Sequence, residues 1–217
     1  MSVKTTLAAT YRRVVPEPLR RFVRNRIARN GYSREFFTQL DELQAASYDV
    51  MAATLVDRLA PRSVVDVGCG SGALLAALQR RGVPTLLGLE SSPEGLALAR
   101  RRGVDARSCD LGHPFTLNRD FDLAVCLEVA EHLPEPLADA FVASLASGPN
   151  HLVFSAATPG QGGENHVNEQ PHDYWIAKLA GHGFVVDTEA TRDVRAEWSA
   201  RDVAPWYCSN VIFFERS

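Results

Sequence analysis

From residue 62 onward the chain alternates between two apolar spacings. Short apolar runs bounded by Gly, Pro or charged residues predict strands at 63–67, 85–90, 104–108, 121–127, 151–157, 184–190 and 210–216. Between most of them, apolar side chains recur three and four residues apart, which predicts helices at 72–81, 93–102, 135–147 and 171–182. Strands that alternate with helices in this way build an α/β domain: a mostly parallel sheet, right-handed crossovers, and helices on both faces. The last crossover breaks the rhythm. Segment 191–208 is polar, carries Trp198, Pro205 and Trp206, and reads as an ordered loop, so the seventh strand is expected to return antiparallel.

The first sixty residues follow a different pattern. Segment 36–59 has helical spacing in Phe36, Phe37, Leu40, Leu43, Ala46, Tyr48, Met51, Leu55 and Leu59, and is expected to pack on the sheet. Segment 5–29 mixes apolar residues with arginines and is interrupted by Pro16 and Pro18. Residues 1–34 hold nine Lys or Arg against one acid, Glu17, although the whole chain has a net charge of −3. This basic stretch is read as a helical cover for a cleft in the domain at 35–217, or as a contact for an anionic substrate. Membrane-surface contact is a further reading, and nucleic acid ranks last because no aromatic stacking platform is interleaved with the arginines.

Composition narrows the class only slightly. The 217 residues and 46% hydrophobic content suit one sizeable globular domain. No apolar run is long enough for a transmembrane span, and the first forty residues show no secretory leader. Cys69, Cys109, Cys126 and Cys208 are scattered without a C-x-x-C pair, so reduced thiols in a cytoplasmic protein are expected.

Candidate chemistry starts at Val64-Val65-Asp66-Val67-Gly68-Cys69-Gly70-Ser71-Gly72, a β-branched run that breaks into three glycines and opens a helix. Gly68, Gly70 and Ala73 also satisfy a dinucleotide fingerprint, with Glu90 at the spacing of a ribose-binding acid. Acids recur where predicted strands end: Asp66, Glu90, Asp110 and Glu128. In a parallel sheet those ends share one edge. A pyrophosphate there would meet carboxylates at a range where like charges cost kilocalories, whereas S-adenosylmethionine presents an ammonium and a sulfonium. The electrostatics favour the methyl donor.

The chain resembles a class I S-adenosylmethionine-dependent methyltransferase from about residue 45 to the C-terminus. Residues 64–72 resemble the family's first motif, Leu87-Gly88-Leu89-Glu90-Ser91-Ser92 its second and Cys109-Asp110-Leu111 its third. Cys126-Leu127-Glu128-Val129-Ala130-Glu131-His132-Leu133-Pro134 resembles the fourth. The resemblance implies a Rossmann-like seven-stranded sheet with an antiparallel last strand, and S-adenosylmethionine as cofactor. Gly68, Cys69, Gly70 and Gly72 are then the turn beside the methionine part, and Asp66 holds its ammonium. Glu90 accepts the ribose hydroxyls with Ser91 beside it, Asp110 accepts the adenine amino group, and the Leu111 backbone reads the ring edge. Glu128 borders the methionine, or is a surface or capping acid.

For the acceptor, Glu131-His132-Leu133-Pro134 resembles a stretch of the ubiquinone-pathway O-methyltransferases. A hydroxyl acceptor must lose its proton, and a neutral imidazole can take it, so His132 is the first candidate base. The alternative is a structural histidine opening the 135–147 helix. Segment 158–175 is expected to arch over the methyl-transfer site. In it His166 is an alternative base, and Asn168 and Glu169, with Glu131 and Tyr174, are candidate contacts to a sugar-like, nucleoside or secondary-metabolite acceptor. A self-bonded loop is the competing reading, with Asn168 and Glu169 capping the next helix and Tyr174 and Trp175 packed in the core. No metal is expected, because Glu131, His132, His166 and Glu169 do not share a ligand spacing on one helix face. The expected activity is methyl transfer to a small-molecule hydroxyl. The alternatives are a nucleic-acid or protein methyltransferase, and a cofactor-binding descendant without chemistry.

Overall fold

The computed structural model describes residues 32–117 and 121–217, so the basic stretch proposed as a cleft cover lies, except for its last residues, outside the described residues. Seven strands form one sheet in the order β3-β2-β1-β4-β5-β7-β6. They are β1 (Ser63–Val67), β2 (Thr85–Glu90), β3 (Ala106–Ser108), β4 (Leu123–Leu127), β5 (His151–Ser155), β6 (Phe184–Val186) and β7 (Ile212–Arg216). Strands β1 to β5 pair in parallel, and β7 runs antiparallel between β5 and β6. The chain leaves β1 toward β2 and β3, then returns to place β4 on the other side of β1. The carboxyl ends of β1 and β4 therefore flank the crevice where such sheets bind ligands.

The helices are α1 (Arg34–Leu59), α2 (Ala73–Arg80), α3 (Pro93–Arg101), α4 (Ala138–Leu145), α5 (His172–Ala180), α6 (Thr188–Ala200) and α7 (Pro205–Asn210). Each sheet face has its own core. On one, Phe141, Phe154 and Trp175 pack with the inward residues of β1, β4, β5 and β7. On the other, Met51 and Leu55 of α1, Leu75 and Leu78 of α2 and Trp198 of α6 close over Val64, Val125 and Phe213.

Segment 191–208 is not the loop expected from its polarity. Asp187 caps α6 by accepting the Ala190 N–H at 2.9 Å, which also stops β6 at Val186. Thr191, Val194 and Trp198 then bury one face three and four residues apart, and the Trp198 Nε1–H donates to Thr54 of α1 at 3.1 Å. A single apolar stripe suffices for a helix whose other faces meet water. No helix among the described residues is long and apolar enough to cross a membrane.

Candidate functional site

A cavity of about 720 Å³ opens at the carboxyl ends of β1, β2 and β4. On its β1–β2 side the glycine turn is held by backbone. The N–H groups of Gly68 and Cys69 both donate to the Leu89 carbonyl, at 2.8 and 3.2 Å. Gly68, Gly70 and Gly72 have φ of +80°, +53° and +74°, the left-handed region where a side chain is strained. A Cβ on Gly68 would overlap Val129, and one on Gly72 would come 2.9 Å from Ala99 of α3. These glycines thus admit the protein's own neighbours as well as a ligand. The Cys69 side chain fills the space above Gly88 of β2, where a Cβ would lie 2.5 Å from its sulfur; burial pushes its thiol well up.

Glu90 ends β2 and accepts two backbone N–H bonds, from Gly70 at 2.7 Å and Ser92 at 2.6 Å. Its burial nonetheless raises its carboxyl pKa above the ordinary value. Asp66 is buried in β1 and is pushed up to about 7, first by desolvation and then by the charge of Glu90. Two carboxyls desolvated in one wall form a cation site that is costly until a cation arrives.

The β4 side holds a second set of acids and both candidate histidines. Glu128 follows β4 with φ +54°, a left-handed conformation in a non-glycine residue. Its carboxylate accepts from Gln161 Nε2 at 2.9 Å and Asn210 Nδ2 at 3.2 Å, and Asn210 also donates to Gln161 Oε1 at 2.7 Å. Glu131 is 0% exposed, and neither carboxyl oxygen has a partner in hydrogen-bond geometry. Burial first, and the neighbouring Glu128 second, hold its pKa far above the usual carboxylate range. The rings of His132 and His166 meet edge to face with centroids 4.9 Å apart. Burial, then the proximity of His166, pulls His132 down to about 4, so it is neutral at neutral pH. His166 Nδ1 lies 2.8 Å from Glu169 Oε1. That contact, followed by the Gly160 N–H, holds the Glu169 carboxyl below its ordinary value, so a carboxylate faces an Nδ1–H. Glu131, His132 and His166 each present one ligand atom, all within 4.8 Å of one another.

Residues 36–194 match the family model described as a methyltransferase domain. This chain belongs to the S-adenosylmethionine-dependent methyltransferases. S-adenosylmethionine is the cofactor that goes with that family, and the cavity's paired acids and glycine turn fit it. The methyltransferase is 27% identical over 124 residues to the ubiquinone biosynthesis O-methyltransferase of Neisseria meningitidis serogroup A, covering 54% of this chain and 48% of that one. It is 28% identical over 199 residues to the small RNA 2'-O-methyltransferase of Arabidopsis thaliana, covering 71% of this chain and 20% of that one. The chain spans about half the length of the ubiquinone-pathway relatives it matches. Among solved structures, magnesium protoporphyrin IX methyltransferase from Synechocystis PCC 6803 with bound S-adenosylmethionine superposes with a TM-score of 0.65 at 20% identity, over 92% of this chain and 97% of that one. At that identity the likeness speaks for the fold.

Of the residues expected at the methyltransferase's site, Asp66, Gly68, Cys69, Gly70, Glu90, Ser91, Leu111, Glu128, His132 and His166 line the cavity. Gly72 stands just behind its wall as the residue that opens α2. Others depart from their expected roles. Asp110 is not in the cavity lining; its oxygens take the Gly112 N–H at 3.0 Å and His113 at 2.8 Å. The Leu111 N–H, expected at the adenine edge, donates to Ser91 Oγ at 3.2 Å. Glu131, expected to touch the acceptor, is fully buried behind the lining. Asn168 is also buried outside the lining and accepts from Gln170 at 2.9 Å. Glu169 anchors the 158–167 loop, accepting the N–H groups of Gly160 and Gly162 at 2.8 Å each, and neither it nor Asn168 caps α5. Tyr174 lies on α5 with its hydroxyl on Glu135 at 3.1 Å, away from the cavity, while Trp175 is in the core. A short, contiguous polar string looked like a recognition loop because sequence does not tell outward from self-satisfying polar groups.

The structure also brings in residues that no motif marked. Tyr32 just before α1, Phe36, Phe37 and Leu40 from its start, Gln161 from the loop, and Trp206 and Tyr207 from α7 line the cavity, and Asn210 holds Glu128. For α1 the only signal was apolar spacing, which is equally the signal of core packing.

Proposed function

We propose that this methyltransferase moves the methyl group of S-adenosylmethionine to a hydroxyl of a small molecule seated against His132 and His166. The observation that carries the reading is that His132 and His166 line the same cavity as Asp66 and Glu90, with Glu131 buried behind them within 4.8 Å. When bound, the cofactor supplies a methyl group on a sulfonium, open to in-line displacement. Asp66 and Glu90 are the residues to hold its ammonium and its ribose. The hydroxyl's proton must leave as oxygen attacks. His166, with its Nδ1–H held by the Glu169 carboxylate, keeps Nε2 as the basic nitrogen, so it is the stronger candidate base. His132, held neutral by burial, offers an imidazole lone pair beside it but is too weak a base to act alone at neutral pH. Two relatives whose names specify oxygen as the methylated atom support a hydroxyl acceptor.

One observation favours a metal-assisted version of the same reaction. Glu131 is fully buried, and one ligand atom from each of Glu131, His132 and His166 lies within 4.8 Å of the others. Burial keeps that carboxyl protonated, and a cation held between it and the imidazoles would displace the proton. Glu131, His132 and His166 are the residues to hold a divalent ion, with Glu128 next to them. Such an ion, when bound, supplies Lewis-acid lowering of a hydroxyl's pKa. The expectation of a metal-free site rested on linear spacing, and residues 34 apart in sequence meet here through the loop after β5.

The test is release of S-adenosylhomocysteine from labelled cofactor with a panel of hydroxylated small molecules, run with chelator and with Mg²⁺, Mn²⁺ or Zn²⁺ added back. Turnover on a hydroxyl that His166→Ala abolishes supports the reading, and loss on chelation with recovery on metal supports the assisted version. Transfer only to amines or to polynucleotides would overturn it.

A further inference from the structure

We propose that Tyr32 is the latch of a lid, and that breaking its contact sets the rate at which S-adenosylmethionine and its product pass in and out of the cavity. Two covers meet over the site. One is the loop 158–167, which is fixed on three sides. Glu169 takes the Gly160 and Gly162 N–H groups, Gln161 reaches Glu128, and the Val167 and Asn168 N–H groups donate to the Glu131 carbonyl at 2.9 and 3.0 Å. The other cover is the first part of α1. From Ser47 onward this helix is sunk in the core through Met51 and Leu55; before it, Gln44 and Phe37 are buried, while Phe36 and Leu40 line the cavity.

Asp41 marks where the anchored part begins. It accepts from Ser71 Oγ at 2.6 Å and pairs with Arg102 at 2.6 Å, and Arg102 also donates to the Ser71 carbonyl at 2.8 Å. Helix α1 is thereby tied to the glycine turn and to the end of α3. Before Asp41, Phe37 lies over that turn: a Cβ on Gly70 would be 3.3 Å from its ring, and one on Gly95 3.0 Å. At the tip, the Tyr32 hydroxyl donates to the Glu164 carbonyl at 3.1 Å and lies 2.9 Å from His132 Nδ1. The Tyr32 ring stacks on Phe36 with centroids 4.3 Å apart and meets Phe37 edge to face. Among the described residues, the segment before α1 is joined to the opposite cover through the Tyr32 hydroxyl, and its ring is stacked on Phe36. Ser33 caps α1 immediately after Tyr32, so the helix survives when the tip lifts.

A latch differs from a binding contact in kinetics. A residue that only grips the cofactor changes its dissociation, whereas a latch that must open for passage in either direction changes association and dissociation together. The experiment uses the full chain and radiolabelled S-adenosylmethionine, with association followed by rapid filtration and dissociation by chase with excess S-adenosylhomocysteine. Tyr32→Phe removes the hydroxyl alone and is expected to raise both rates by about fivefold, the equivalent of one ordinary hydrogen bond, leaving the dissociation constant within about twofold. Tyr32→Ala, which also removes the stack on Phe36, is expected to raise both further. Thermal unfolding of Tyr32→Phe should match the parent. If only dissociation quickens and affinity falls in step, Tyr32 is a binding contact and the latch is wrong. Unchanged rates in both variants overturn it equally. The measurement needs no acceptor, so it stands or falls apart from the hydroxyl reading above.

Discussion

On the proposed reading, the cofactor side of the cavity is made from strand ends, and the acceptor side from loops and helix tips. On the first, Asp66 and Glu90 are buried at the close of β1 and β2, and the glycine turn is bonded to the Leu89 carbonyl within the same sheet. On the second, Glu128 sits in a left-handed conformation, held by side-chain amides from the post-β5 loop and from the end of α7. The first side is rigid because its backbone is already satisfied by the sheet. The second takes its shape from side-chain contacts between elements far apart in sequence, so it is the side free to differ between enzymes that share a donor. On that reading, donor and acceptor divide along the β1–β4 crevice.

That division is sharpest if variants on the two sides affect different measurements. On the acceptor side, His166→Ala is expected to slow methyl transfer by about 10²- to 10³-fold in single-turnover assays, with S-adenosylhomocysteine affinity unchanged in calorimetry. A matching loss of affinity would erase the boundary. On the cofactor side, Glu90→Ala is expected to weaken S-adenosylhomocysteine binding by about 30- to 100-fold. It removes charge-assisted bonds to the ligand and also the anchor of the Gly70 N–H.

Asp66 gives the cofactor side its own pH dependence. Its carboxyl, at about 7 in the free protein, must be ionised to hold an ammonium, so binding below pH 7 releases a proton. Affinity should rise up to about tenfold per pH unit toward pH 7 and level off above it, and Asp66→Asn should flatten the profile. Stability of the free protein runs the other way. The folded carboxyl binds its proton more tightly than the unfolded one, so this group's contribution is full below about pH 4 and is lost as pH rises through about 7. Asp66→Asn should accordingly raise the melting temperature of the free protein at pH 8 while weakening cofactor binding.

Smaller effects test the outer limits of the site. Gly163→Ala would press a methyl group into the His166 ring and is expected to lower transfer severalfold with cofactor affinity intact. Tyr174→Phe should change neither measurement, because its hydroxyl bonds Glu135 on the surface. A loss of transfer there would return α5 to the acceptor site.

How far the sequence could be read follows the same line. Strands β1 and β2 fall where the apolar runs placed them: β1 is buried throughout and so apolar on both faces, β2 is partly buried, and glycine or an acid marks where each run ends. Helix α6 was missed although Thr191, Val194 and Trp198 have helical spacing, because the surrounding polarity outweighed a narrow stripe. The loop after β5 was read as a row of substrate contacts. Glu169 and Asn168 in fact organise the loop itself, and only His166 of the three reaches the cavity.

By itself, then, the sequence determined the sheet, its glycine turn and the acids at its edge. Each depends on a few neighbouring residues, on strand periodicity and on where a run stops. Only the tertiary structure decided which polar groups were left over. Whether a carboxylate or an imidazole faces a ligand depends on whether something else has already satisfied it, and the partners here come from residues 30 to 100 positions away: Tyr32 against His132, Gln161 and Asn210 on Glu128, Asp41 on Ser71.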